Sequence, residues 1–226
     1  KGTPMRDRFM PKLIGLKNKG IIENQIRSLD KTDYQVTLFD CAKVDSSHGI
    51  SYMAMSHFLL SLGFLSNWIG MMEFNLMLEN RYDKFLATVK EQNAGKGWYD
   101  IRKKMSAVPA LKKAILTFMA EDEYEETRKL IDERIKTYDA TKLKEDLSLY
   151  LEHFPEKKIV FFIDEMSEAL SQKKINLLDL EGLSEALSSL GNRVWTVGIA
   201  QQAFNDVLNA SGLNIHQLNK VEARFK

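Results

Sequence analysis

Apolar residues along this chain change their spacing twice. From Pro11 to Leu29 they recur near helical spacing (Leu13, Ile14, Leu16, Ile21, Ile22, Ile26, Leu29), so a helix is expected, weakened by Gly15 and Gly20. Asp30 to Asp33, "DKTD", is turn chemistry, and Val36 to Cys41 is rich in β formers, so a strand follows. The polar exit "DCAKVDSSHG" reads as a loop, with Ser46, Ser47 or His48 placed to cap what comes next. From Ile50 to Phe154 the spacing is helical throughout. Ile50, Met53, Ala54, Phe58, Leu59 and Leu62 make one face, ended by Gly63. Trp68 to Val89 makes a second helix and Pro109 to Met119 a third. Glu121 to Tyr138 makes a fourth, with acids early and bases late as the helix dipole prefers, and Leu143, Leu147, Tyr150 and Leu151 mark a fifth.

After Pro155 the spacing switches back. Ile159 to Ile163 is a short unbroken apolar run, the mark of a strand buried on both faces. Leu177, Leu180, Leu183, Leu187 and Leu190 then share a helical face, closed by Gly191, and Val194 to Ala200 reads as another buried strand. "AFNDVLNAS" reads as a short helix or turn. Strand, long connection, strand, helix, strand is the grammar of a parallel sheet. The expected architecture is a doubly wound α/β core, built from residues 1–49 and 155–226, with a large helical insertion over 50–154.

Composition narrows the class. With 44% hydrophobic and 28% charged residues, the 226-residue chain can bury a real core and is not expected to be disordered. The net charge is +1, which gives no electrostatic footprint for DNA on the scale of the whole chain; DNA stays open as a partner, but charge does not point to it. Cys41 is the single cysteine, so no disulfide forms within the chain, and a reducing cytoplasm is the natural location. The longest uncharged stretch, Ser46 to Met72, is interrupted by Ser51, Ser56, His57, Ser61, Ser66 and Asn67, so no membrane span is expected. The charged start "KGTPMRDRFM" does not read as a signal peptide. The chain is expected to be a piece of something longer, since it lacks a starting Met and stops at "ARFK".

The chemistry concentrates in "KKIVFFIDEMSEAL", where five apolar residues run into Asp164 and Glu165. Open parallel sheets bind ligands at the carboxyl ends of their strands. An apolar strand ending in Asp-Glu has the form of a Walker B motif: the Asp holds Mg²⁺, usually through water, and the Glu polarises the water that attacks a γ-phosphate. The plainer alternative is a strand running out into an acidic loop, and on this motif alone the two stand about even. Gln201 and Gln202 follow the next strand, where a polar residue would help to position the attacking water; ordinary loop polarity explains them as well. Arg224, beside Phe225, is either a surface Arg with a packed neighbour or an arginine finger reaching an adjoining subunit. No phosphate-binding loop is present. "AGKGW" has a Gly-Lys, but Lys90 stands where the first Gly should be and Gly97 where Ser or Thr should be. The phosphate cradle is therefore expected upstream or in residues missing from within this sequence. His48, His57, His153 and His216 lack metal-ligand spacing and read as core or solvated residues.

Taken in order, "LKNKGIIENQIRSLDKTDYQVTLFDC", "LSLGFLSNWIGMMEFNLMLENRYDKFLATVKEQNAGKGWYDIRKKM", "KIVFFIDEMSEAL", "LGNRVWTVGIAQQAFNDVL" and "VEARFK" resemble the large P-loop ATPase of bacteriophage-exclusion (BREX-type) defence islands, over Leu13 to Lys226. The resemblance implies a P-loop NTPase-like, AAA-like core binding ATP and Mg in a bacterial antiviral system that pairs host DNA methylation with blocking of phage replication. It implies a Walker A loop just ahead of the first helix. Asp164 and Glu165 match the family's acidic pair, Gln201 a polar residue after the sensor strand, and Arg224 an Arg acting in trans. It also implies other defence-system proteins as partners and a homo-oligomer. The chain departs from the pattern at Ile199-Ala200, where the family tends to carry hydroxyl residues. ATPase activity is expected of the full-length protein and not of this piece alone. The alternative is a nucleotide-fold scaffold that does not hydrolyse. A third class, a metal-dependent nuclease using Asp164 and Glu165, needs a further acid and a Lys at the same site.

Overall fold

The two spacings fold as two kinds of element around one core. The structure, a computed structural model, describes residues 11, 14–15, 17–29, 33–43 and 48–199, with 25–29 described by backbone only. The first helix, α1 (Lys19–Leu29), is shorter than its periodicity suggests and begins after Gly15, whose φ of +91° breaks any helical run from Pro11. Then come β1 (Asp33–Asp40) and a 3₁₀ turn, Cys41–Lys43. Seven helices follow in the described chain: α2 (Gly49–Ser61), α3 (Trp68–Leu78), α4 (Tyr82–Gln92), α5 (Trp98–Ile101), α6 (Ala107–Ile115), α7 (Glu121–Lys136) and α8 (Ala140–His153). The single helix expected over Trp68 to Val89 is two. Asn80 adopts φ +58°, a left-handed conformation that Asn tolerates, and Arg81 N–H donates back to Leu76 O at 2.7 Å. The chain ends its described course with β2 (Lys157–Asp164), α9 (Met166–Ser171), α10 (Leu177–Ser188) and β3 (Val194–Gly198).

Among the described residues the three strands form one parallel sheet in the order β1-β2-β3. Its steps all run one way across the sheet. Right-handed connections that step in one direction place their helices on one face. Accordingly α2 packs on β1, α10 packs on β3, and α8 lies against both helices. Thr37, Phe39, Ile159, Phe161, Ile163 and Val194 point into this layer and are buried. The other face carries two apolar rows in register, Val36–Val160–Trp195 and Leu38–Phe162–Val197. On it Leu38 is 62% and Trp195 56% exposed. This exposed face departs from the expectation of strands buried on both faces, while the parallel sheet with its covering helices is compatible with the expected doubly wound α/β core.

The helices over 50–154 share their core with the sheet. The Phe58 ring meets Tyr150 edge-on at 5.0 Å and lies 6.2 Å from Phe161 of the central strand. At the entry of β2, the Arg193 guanidinium donates to Phe154 O (2.8 Å) and Lys157 O (3.0 Å), fixing β3 beside β2. Among the described residues no helix is long and apolar enough to cross a membrane.

Candidate functional site

Asp164 is the last residue of β2, the central strand, so the parallel sheet delivers it to the edge where ligands of such sheets bind. Glu165 follows in the left-handed region, at φ +55° and ψ +32°, and starts α9. A residue with a Cβ pays about 1–2 kcal/mol for that conformation, which is why strain of this kind clusters at sites where a side chain must be aimed. Two contacts hold the turn. Glu165 N–H donates to Asp164 Oδ1 (2.9 Å), and Met166 N–H reaches Ile199 O (3.4 Å) just past β3. Asp164 and Glu165 are both half-buried, so water and ligands can reach them.

The register of β1 on β2 sets Asp40 directly beside Asp164. Asp40 is already engaged: its Oδ1 accepts from Ala42 N–H (2.9 Å) and its Oδ2 pairs with Lys43 Nζ (2.7 Å). Hydrogen bonding to Lys43 holds the Asp40 carboxyl below the usual carboxylate range, and Asp40 in turn raises Lys43, with smaller contributions from Asp164 and Glu165. Lys174, beyond α9, reaches across to donate to Ala42 O. Cys41, buried between these charges, has its thiol pushed up to about 12, first by burial and then by Asp40 and Asp164, so it stays a protonated packing group at neutral pH.

The strand ends therefore gather Asp40, Asp164 and Glu165 with Lys43 and Lys174 at their margin. The sequence singled out Asp164 and Glu165. Asp40 and the two lysines were missed, although "LFDC" leaves its strand on an Asp just as "FIDE" does. Gln201 and Arg224 lie outside the described residues. Among the described residues no group of three or more His, Cys, Asp or Glu is arranged to hold a metal ion. An ion here would rest on Asp164 together with oxygens brought by its ligand, which suits Mg²⁺: it usually takes one or two carboxylates plus substrate phosphates. No protein-family model, curated protein or solved structure matches the chain.

Proposed function

We propose that this chain is the catalytic-edge part of an ATP-binding, ATP-hydrolysing core of the P-loop, AAA-like kind, acting in bacterial antiphage defence. The observation that carries the chemical half of this reading is the Asp164–Glu165 pair: adjacent carboxylates at the carboxyl end of the central parallel strand, the second in a strained left-handed turn. The defence assignment and the partners, other defence-system proteins and further copies of the chain, rest on the family resemblance.

The pair divides the work. Asp164 would hold Mg²⁺, and bound Mg²⁺ would supply charge neutralisation at the phosphates. Glu165, turned out of the strand by its own backbone, would accept the proton of the attacking water. Lys43 keeps Asp40 paired, so the neighbouring carboxylate does not add unbalanced negative charge beside a polyphosphate. Gln201 would orient the water and Arg224 would act on an adjoining subunit's nucleotide.

The test uses the full-length protein. Mg²⁺-dependent ATP hydrolysis is expected, and Asp164→Asn is expected to remove it while the melting curve stays within the surface-mutation range of about 0.5 kcal/mol. Turnover that survives Asp164→Asn would refute the reading. One observation favours a second reading: Asp40 and Lys43 are the further acid and lysine that a metal-dependent nuclease needs at this site. Weighing against it, both are occupied with each other. The nuclease reading requires Mg²⁺-dependent DNA cleavage that Asp40→Asn abolishes.

A further inference from the structure

We infer that the turn-rich segment joining α4 to α6, residues 93–106, is a binding surface for single-stranded nucleic acid, with a base stacking on Tyr99 and phosphates met by Lys96, Lys103 and Lys104. Over 96–104, "KGWYDIRKK", four basic residues stand against one acid, a net +3 in nine residues of a chain whose whole charge is +1. The inference does not rest on nucleotide hydrolysis at the Asp164–Glu165 pair.

The segment folds as consecutive turns. Lys96 N–H donates to Asn93 O (3.0 Å), Asp100 N–H to Gly97 O (3.0 Å), Arg102 N–H to Trp98 O (2.9 Å) and Lys104 N–H to Ile101 O (2.8 Å). Helical spacing then sorts the side chains. Trp98 and Ile101 turn inward and are buried, and the Trp98 indole N–H is anchored on Glu73 at 2.8 Å. Tyr99, Lys103 and Lys104 turn outward, with Lys96 just ahead of α5, and all four are exposed. Met105, wholly exposed, follows them and adds apolar surface.

The polar groups divide into engaged and free. Among the described residues none of the three lysine side chains has an ion-pair partner. The one acid, Asp100, is occupied: its Oδ2 accepts from Gly97 N–H at 2.9 Å. Arg102 turns inward, where its guanidinium donates to Gly63 O and backs the Tyr99 ring, 4.5 Å from the ring centre. The ring itself stays 56% exposed. A solvated lysine surface accounts for the charge but not for an aromatic ring held from behind in the midst of it. A braced ring among unpaired ammonium groups joins the two contacts of sequence-independent single-strand binders, base stacking and phosphate attraction. Bracing also lowers the entropy lost when a base settles on the ring.

The test is fluorescence anisotropy of labelled oligo(dT) and oligo(rU), about 16 nucleotides long, titrated with the 226-residue chain in EDTA. Both are expected to bind alike, since phosphates and base faces are common to both strands. With three phosphate contacts, affinity should fall about 15–20-fold between about 50 and 200 mM salt. Combining Lys103→Gln with Lys104→Gln should cut the log–log salt slope to about a third. Tyr99→Ala should weaken binding about tenfold, whereas Tyr99→Phe, which keeps the ring, should bind as wild type; that contrast separates stacking from folding. Lys144→Gln, an exposed lysine on α8, should change nothing. A dissociation constant weaker than about 1 mM at the lower salt would overturn the inference. So would a blunt duplex of the same length binding as tightly as the single strand, because its bases are not free to stack on Tyr99. Displacement by poly-glutamate of equal charge would make this a surface for acidic protein and overturn it too. Loss of binding in Asp164→Asn would place the nucleic acid on the strand-end carboxylates, with the same result.

Discussion

Glu165→Gln in the full-length protein is expected to bind ATP and fail to turn it over, with kcat reduced about 10²–10⁴-fold, the usual contribution of a positioned general base. Gln keeps the size and the Cβ of Glu and lacks only a basic oxygen, so the loss would report proton acceptance and not folding. Glu165→Gly separates the two further. The native φ of +55° is a conformation that glycine adopts freely. Relief of that strain, about 1–2 kcal/mol, competes with the greater freedom glycine gives the unfolded chain, so Glu165→Gly is expected to be between neutral and about 1 kcal/mol more stable than wild type. A variant that is no less stable and yet inactive is the signature of strain held for function. Undiminished turnover by Glu165→Gln, measured by phosphate release, would remove Glu165 from the chemistry. Destabilisation of Glu165→Gly in chemical unfolding would instead give the carboxylate a structural duty.

The sequence spoke clearly where local periodicity decides structure. Glu121 to Lys136 and Ala140 to His153 fold as their spacing indicates, and the apolar run before Asp164 is a strand of a parallel sheet. It was silent where long-range pairing decides. That Asp40 stands beside Asp164 depends on a parallel register between strands separated by eight elements in the chain, and nothing local encodes it. The break at Asn80 was hidden because apolar spacing continues across it in Tyr82, Phe85 and Val89. The face that stays exposed among the described residues was hidden for a different reason: an unbroken apolar run looks the same whether one face or both are covered, and only long-range packing distinguishes them. One signal was available and went unused. Glu73 sits alone in the apolar run "WIGMMEFNLML", and a carboxylate there must either break the helix's burial or find partners inside it.

It finds partners, and they make Glu73→Ala the most damaging single change expected in the helical region. Glu73 is fully buried on α3. Its Oε1 accepts from Trp98 Nε1–H (2.8 Å) and the Tyr82 hydroxyl (2.9 Å), its Oε2 from Leu65 N–H (3.0 Å), and the Arg102 guanidinium stands at 3.9 Å. One side chain thus joins α3 to α4, α5 and the loop before α3. The fit around Leu65 is close enough that a Cβ at Gly70 would lie 1.6 Å from Leu65 O. Removing the carboxylate leaves the buried Trp98 donor and the half-buried Tyr82 and Leu65 donors without their acceptor and deprives Arg102 of its counter-charge, at a cost of about 3–5 kcal/mol. Glu73→Gln is milder, since the amide keeps one acceptor oxygen and turns the other position into a donor facing donors. It also exposes the sign of the pH dependence. Burial raises the Glu73 carboxyl above its ordinary 4.5, outweighing the hydrogen bonds and Arg102 that pull it down. The folded chain then keeps this proton to higher pH than the unfolded chain does. The stability linked to it is complete below about pH 4.5 and is lost as the pH rises through the raised native value. Gln does not titrate, so the advantage of wild type over Glu73→Gln should shrink as the pH rises above the ordinary 4.5 of the carboxyl, in paired urea unfolding curves. An advantage that grows with pH would mean that the three hydrogen bonds and Arg102 outweigh burial and hold Glu73 charged.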